Sequence, residues 1–167
     1  MHAQSWPDLI SEFAAMSAAG QDIGRRMVSV IARSENSPAA VAILRATDRL
    51  AALALDVRIM LVEAPSAADC TGETKEAMQR RVRTLPEEAR EILDERSTYA
   101  CLGDRLMVGG TESASPCISL ATQKTLEMNR FVFDLLWVQS QPMLLVQDNP
   151  SAFELRPAPF DRRVANG

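Results

Sequence analysis

The spacing of apolar positions changes repeatedly along this chain, and each change falls near a Pro, Gly or Ser that punctuates local structure. Leu9, Ile10, Phe13 and Met16 recur at helical intervals and predict an amphipathic helix over 7–19, capped by Ser5 and stopped by Gly20. Residues 26–32, carrying Val28, Val30 and Ile31, suit a buried strand. Ser37 and Pro38 then open a helical stretch to about residue 55, with the Ser as cap and the Pro at the first helical position, where its missing N–H is harmless. Val41, Leu44, Ala52 and Leu55 supply much of that helix's expected buried face. The run Val57-Arg58-Ile59-Met60-Leu61-Val62 is the strongest strand signal. Strand, helix, strand in that order is a βαβ unit, and the right-handed crossover rule makes its two strands parallel.

The second half is less regular. Residues 64–74 form a small-residue loop with Pro65 and Gly72, 75–81 suit a short helix, and a brief strand is expected near Val82 and Leu85. Residues 86–94 read as another helix, with Pro86 at its start and Glu87 and Glu88 in the first turn, where the helix dipole favours them. Over 99–110, two short strands flank Gly103-Asp104, a pair that suits a two-residue type II′ turn. A loop with Ser113, Ser115 and Pro116 leads to a helix over 120–139, where Leu126, Phe131, Leu135, Leu136 and Val138 form an apolar stripe, Trp137 stands near the end and Pro142 is the stop. The predicted fold class is α/β: a single domain with a βαβ unit, a mixed or mostly parallel sheet flanked by helices, one C-terminal hairpin and a long closing helix. It divides into an N-terminal helix at 1–24, the α/β domain at 25–147 and a Pro-rich, partly disordered tail at 148–167.

Composition narrows the chemistry more than the fold. At 167 residues, 47% apolar and 24% charged, the chain suits one medium domain with a sizeable core, stabilised without disulfides or metals. Its one histidine, His2, adjoins Met1, so mechanisms built on an imidazole base, nucleophile or metal cluster lack their central residue. A formal charge of −4 and a pI near 5.1 argue against a surface given over to nucleic acid. Cys70, Cys101 and Cys117 are odd in number and show no C-x-x-C spacing, which reads as buried free thiols rather than a disulfide framework or a zinc site. No residue pattern calls for a cofactor or a metal. The N-terminal segment has no basic stretch, and Asp8 and Glu12 interrupt it, which argues against a signal peptide. The richest apolar stretch, 41–62, is broken by Arg45, Asp48, Arg49 and Asp56, so no membrane span is expected and the expected location is cytoplasmic.

One family resemblance rests on two segments. Leu102-Gly103-Asp104-Arg105-Leu106-Met107-Val108-Gly109-Gly110 is similar to the hairpin that follows the catalytic strand of phospholipase D-like proteins, and Asn129-Arg130-Phe131 through Leu136-Trp137 is similar to that family's closing helix. With the preceding βαβ unit, residues 25–140 resemble one phospholipase D-like α/β unit. Active members carry His-x-Lys-x-x-x-x-Asp ahead of a Gly-Gly or Gly-Ser pair. Aligning Gly109-Gly110 to that pair puts Glu95 at the histidine position, Ser97 at the lysine and Leu102 at the aspartate. The resemblance therefore implies a degenerate unit, without the imidazole nucleophile or the phosphate-neutralising cation of that mechanism. Units of that family bury a face against one another, which implies that a lone unit self-associates.

Three clusters are candidate sites. Arg33, Ser34, Asn36 and Ser37 follow a strand and open a helix, the place where α/β sheets present N–H groups to phosphate or carboxylate; helix capping explains the same residues, and Glu35 opposes an anion. No P-loop supports the sharper reading, since Gly20 to Gly24 lacks the required spacing and the Lys-Ser/Thr pair. Arg80, Arg81 and Arg83, joined in space by Arg25, Arg26 and Arg58, would make a basic patch for phosphates, although Glu76, Glu87 and Glu88 flank it as in a salt-bridged surface. With one Tyr in the chain, a base-stacking platform has no support. Glu91, Asp94 and Glu95, with Glu87 and Glu88, form an acidic set in which the i,i+4 pairs Glu87/Glu91 and Glu91/Glu95 put carboxylates on one helix face for acid/base work or a hard cation, although Arg83, Arg90 and Arg96 nearby fit an ordinary helix surface. The Ser-rich stretch 111–119 lacks a base, and Trp137 and Phe131 read as core packing.

The resulting expectation is a non-catalytic α/β binding or regulatory module that self-associates as a homodimer or binds a protein partner or small anion. The alternatives are an enzyme with a histidine-free carboxylate/arginine site acting on a phosphorylated substrate, and a DNA-associated regulator using the Arg80 to Arg83 strip.

Overall fold

A computed structural model of the chain describes residues 5–64, 81–91, 93 and 98–142. Over these residues one seven-stranded mixed sheet has helices packed on both faces. In chain order the elements are α1 (Trp6–Ala18), β1 (Met27–Ala32), α2 (Pro38–Arg45), α3 (Thr47–Ala52), β2 (Asp56–Leu61), β3 (Val82–Thr84), α4 (Glu87–Arg90), β4 (Ala100–Leu102), β5 (Leu106–Gly109), β6 (Cys117–Ser119), α5 (Gln123–Gln139) and β7 (Gln141–Pro142). The strand order is β6-β5-β4-β1-β2-β3-β7. β1 and β2 run parallel with Val28 opposite Val57, and β3 continues the parallel part. β4 joins the other edge of β1 antiparallel, followed by β5 and β6, and β7 closes the far edge.

All six residues of β1 are buried, because both faces of this central strand are covered. Val28, Val30 and Ala32 join Val57, Ile59, Leu61 and Val82 on one face, beneath Trp6, Leu9, Ile10 and Phe13 of α1 and Ile43 of α2. Ile31, Met60, Tyr99 and Cys101 form the other face, beneath Phe133 and Trp137 of α5. Thus α1 is part of the core, tied to it by its apolar stripe. The Ser5 side chain accepts from the Asp8 N–H, which is the predicted cap.

Several local expectations need correction. The helix predicted from Ser37 to about residue 55 breaks at Ala46, whose N–H is shared between the carbonyls of Ala42 and Ile43. Buried Thr47 donates its hydroxyl back to the Ile43 carbonyl, a local bond that competes with straight helix geometry. The buried residues of this region are Ser37, Ala39, Ala40, Ala42, Ile43, Thr47, Leu50 and Leu55; Val41 and Leu44 are half-buried and Ala52 is exposed. After α3 the chain reverses through Ala54 at φ 56, with the Leu55 N–H donating to the Leu50 carbonyl, so a non-glycine residue occupies the left-handed C-terminal position. The hairpin pairs Leu102 with Leu106, which makes its loop three residues long rather than two. The loop takes this form because the Gly103 and Asp104 N–H groups bind the carbonyls of Met27 and Ile23, outside the hairpin. The short strand β6 lay unrecognised in the Ser-rich stretch, and α5 begins at Gln123, where the Thr122 side chain caps it, rather than at 120. Pro142 belongs to the terminal strand β7, where a missing N–H is tolerated at a sheet edge. The predicted helix at 86–94 appears as the single turn Glu87–Arg90; the expectations for 65–80 and for the tail at 148–167 lie outside the described residues.

Candidate functional site

The carboxyl ends of β1 and β2 meet the loop that follows β5, and the loop is held in place from three directions. Gly110 turns it at φ +73, where a Cβ would lie 3.0 Å from the Ser115 carbonyl oxygen. The Trp6 indole Nε1 donates to the carbonyls of Gly110 and Ser113, at 3.2 and 3.0 Å. The Ala39 N–H, in the first turn of α2, donates to the Thr111 carbonyl at 3.1 Å.

This anchoring delivers Glu112 to the turn between β1 and α2. Its Oε1 accepts from the Arg33 N–H at 2.7 Å, and its Oε2 accepts from the Ser37 hydroxyl at 2.5 Å. Ser37 in turn accepts from the Ser34 N–H at 3.0 Å, and the Asn36 N–H donates to Ser34 Oγ. Of the four predicted ligand residues, Arg33, Ser34 and Ser37 thus form one network around a carboxylate of the chain itself, and Asn36 is exposed beside it. Ser37 makes no side-chain cap bond to α2, contrary to the sequence expectation; its hydroxyl serves Ser34 and Glu112 instead. Sequence alone gave no signal for Glu112, which lies 75 positions from Ser37.

Beside this network opens a cavity of about 390 Å³ lined by Arg33, Val62, Leu93, Thr98 and the segment 110–113. The Arg33 guanidinium pairs with Glu63 at 3.3 Å, with both side chains 60% exposed, so the pair is screened and readily exchanged. Val62 and Leu93 give the cavity an apolar wall, while Thr98, Thr111 and Ser113 bring hydroxyl-bearing side chains to its lining.

Four of the arginines predicted to form a basic patch, Arg25, Arg26, Arg58 and Arg83, are engaged in the fold. Arg83 stacks on the Trp137 ring at 4.4 Å and donates to the Trp137 carbonyl, and Arg58 covers the same ring at 5.4 Å. Arg25 pairs with Asp134 Oδ2 at 2.9 Å, and Arg58 pairs with Asp56 at 2.9 Å and stands 3.9 Å from Asp134 Oδ1. Arg26 donates to Ser17 and to the Leu53 carbonyl. Arg81 is half-buried, and Arg80 lies outside the described residues. Arg25, Arg58 and Arg83 therefore clamp α5 to the sheet.

Glu87, Glu88 and Glu91 are exposed, and none of them lines the cavity; Asp94 and Glu95 lie outside the described residues. Cys101 is buried, and burial, reinforced by nearby Asp104, pushes its thiol up to about 11; Cys117 is exposed, contrary to expectation, and Cys70 lies outside the described residues. Burial also raises the Tyr99 phenol, whose hydroxyl donates to the Asn129 carbonyl at 2.7 Å. Among the described residues, no group of three or more His, Cys, Asp or Glu side chains is placed to hold a metal ion, and no helix is long and apolar enough to cross a membrane. Compared with protein-family models, with curated proteins and with solved structures, the chain gave no match.

Proposed function

We propose that this chain is a non-catalytic recognition module for a small anion, a phosphate or carboxylate group, taken at the carboxyl ends of β1 and β2. One observation carries the reading: the turn predicted to receive an anion holds one, the Glu112 carboxylate, on the Arg33 N–H and the Ser37 hydroxyl. The N-terminal end of α2 contributes a positive partial charge there. Glu112 is exposed, so its departure uncovers no buried charge, and the Thr111 carbonyl keeps the loop attached through Ala39. An incoming anion would displace Glu112, with Arg33 free to turn from Glu63 and neutralise it. The resemblance to a degenerate phospholipase D-like unit rests on the sequence segments 102–110 and 129–137, with a regulatory role in the cytoplasm as the corresponding proposal. A reacting group is missing from the reading because histidine occurs only at position 2.

The test is titration of the full chain with inorganic phosphate and with glycerol phosphate, followed by calorimetry and by amide shifts of Arg33 and Ser34. If Glu112 holds the turn about nine-tenths of the time, Glu112→Ala tightens phosphate binding about tenfold. Adding Arg33→Ala should remove the gain. Equal affinity in wild type and Glu112→Ala contradicts the proposal, and so does turnover of a phosphodiester by the purified chain.

A further inference from the structure

The closing helix α5 is apolar on two sides, and the sheet covers one of them. Leu126, Phe133 and Trp137 face the core, as do half-buried Leu136 and the Asn129 side chain, which donates to Met107 Sδ at 3.0 Å. On the outside stand Met128 (59% exposed), Phe131 (64%), Leu135 (48%) and Val138 (79%), with Val132 beside them. The sequence expectation that Phe131 packs in the core is therefore wrong: Phe133 takes that place, stacked at 6.0 Å on Trp137. The predicted stripe of Leu126, Phe131, Leu135, Leu136 and Val138 is split between the two faces.

The exposed positions follow one another at intervals of three, four and three residues, the spacing of a two-stranded helical seam. No charged side chain interrupts the seam between Met128 and Val138, since Arg130 is turned away to Asp104 at 2.7 Å and Asp134 to Arg25 at 2.9 Å. A helix with two apolar faces is characteristic of the interior of a larger body.

We infer that a second copy of this chain covers this seam, with the two α5 helices antiparallel about a two-fold axis that passes between Phe131 and Leu135. The area is the first argument. The five side chains expose on the order of 500 Å² of apolar surface, the upper range for a monomer's largest patch, and two such patches together reach about 1,000 Å², the threshold for a specific interface. Self-complementarity is the second. In the antiparallel register Met128 meets Val138 of the partner subunit and Phe131 meets Leu135 of the partner subunit, so each layer joins a larger side chain to a smaller one and the layers are even in volume. A parallel pair would set Phe131 on its own copy and Val138 on its own copy, leaving wide and narrow layers. This inference is independent of the anion site and does not use its residues.

Sedimentation equilibrium of the full chain across the micromolar to millimolar range tests it. The expected result is a reversible dimer. Leu135→Glu, at the centre of the seam, should weaken it at least thirtyfold, roughly a hot-spot loss, with helical circular dichroism retained, and with the thermal midpoint retained at dilutions where wild type is monomeric. Should Leu135→Glu fail to fold, Val138→Lys, at the most exposed seam position, serves instead and should also weaken the dimer. A mixed disulfide between Met128→Cys and Val138→Cys chains, formed faster than either chain with itself, reports the antiparallel register. A monomer throughout the range overturns the inference, including one in which hydrogen exchange shows the seam covered by the chain's own C-terminal residues. So does a dimer that withstands both substitutions, and faster linkage of like cysteines overturns the register.

Discussion

Gly103 sits at φ +62, its N–H donates to the Met27 carbonyl at 2.8 Å, and a Cβ there would lie 2.1 Å from the Ile23 carbonyl oxygen. Two separate penalties follow for Gly103→Ala. The left-handed backbone costs an L-residue about 1 kcal/mol, and forcing the α1–β1 connection away from the hairpin adds about 2 kcal/mol in a packed region. Gly20 isolates the first penalty: it has a similar conformation, φ +72, and a methyl group there would meet nothing within 4 Å. The expected losses are therefore about 3 kcal/mol for Gly103→Ala and about 1 kcal/mol for Gly20→Ala. With a urea slope of about 2.5 kcal/mol/M, the midpoint falls by about 1.2 M in the first variant and about 0.4 M in the second. Urea unfolding followed by circular dichroism measures both. Equal losses in the two variants would refute the argument, because the close approach of Ile23 would then carry no energetic weight.

Two further outcomes follow from the same structure. Ala54 occupies the left-handed position after α3 at φ 56 and is exposed, so Ala54→Gly should raise stability by about 1 kcal/mol, read as an increase in the urea midpoint; a decrease would contradict the assigned turn. Cys101 keeps its proton more tightly when folded, pushed up to about 11 from an ordinary 9.0, so the unfolded chain loses that proton first and stability declines as pH rises from about 9 to about 11. Buried Tyr99, raised from 10.0, adds a loss of the same sign above its ordinary value. Urea midpoints measured against pH should fall over this window, and Cys101→Ala should flatten its lower part; an unchanged slope would sink the assignment.

Elements governed by local periodicity were legible in the residues. The stripe of Leu9, Ile10 and Phe13 specified α1, and the apolar runs of 26–32 and 57–62 specified β1 and β2, because side-chain period and turn chemistry act over a few neighbours. The parallel pairing of those strands followed from the helices between them. Boundaries drifted where a tertiary bond replaced a local one: Ser37 gave up its cap for Glu112, and Gly103 bound the first residue of β1 and Asp104 the α1–β1 connection instead of closing a two-residue turn.

Among candidate residues, the turn at Arg33, Ser34 and Ser37 was visible because strand-to-helix junctions present N–H groups whatever the surroundings. Its occupant was not visible, since Glu112 arrives from a distant hairpin. Position along the chain likewise grouped Arg80, Arg81 and Arg83 as a surface strip, whereas folding turned Arg83 inward to Trp137, joined there by Arg58. The two apolar faces of α5 show the same division of labour. Helical spacing tells which of its residues share a side, but which side meets the sheet depends on Phe133 and Trp137 fitting over Ile31 and Met60, a choice made by packing between elements far apart in the chain.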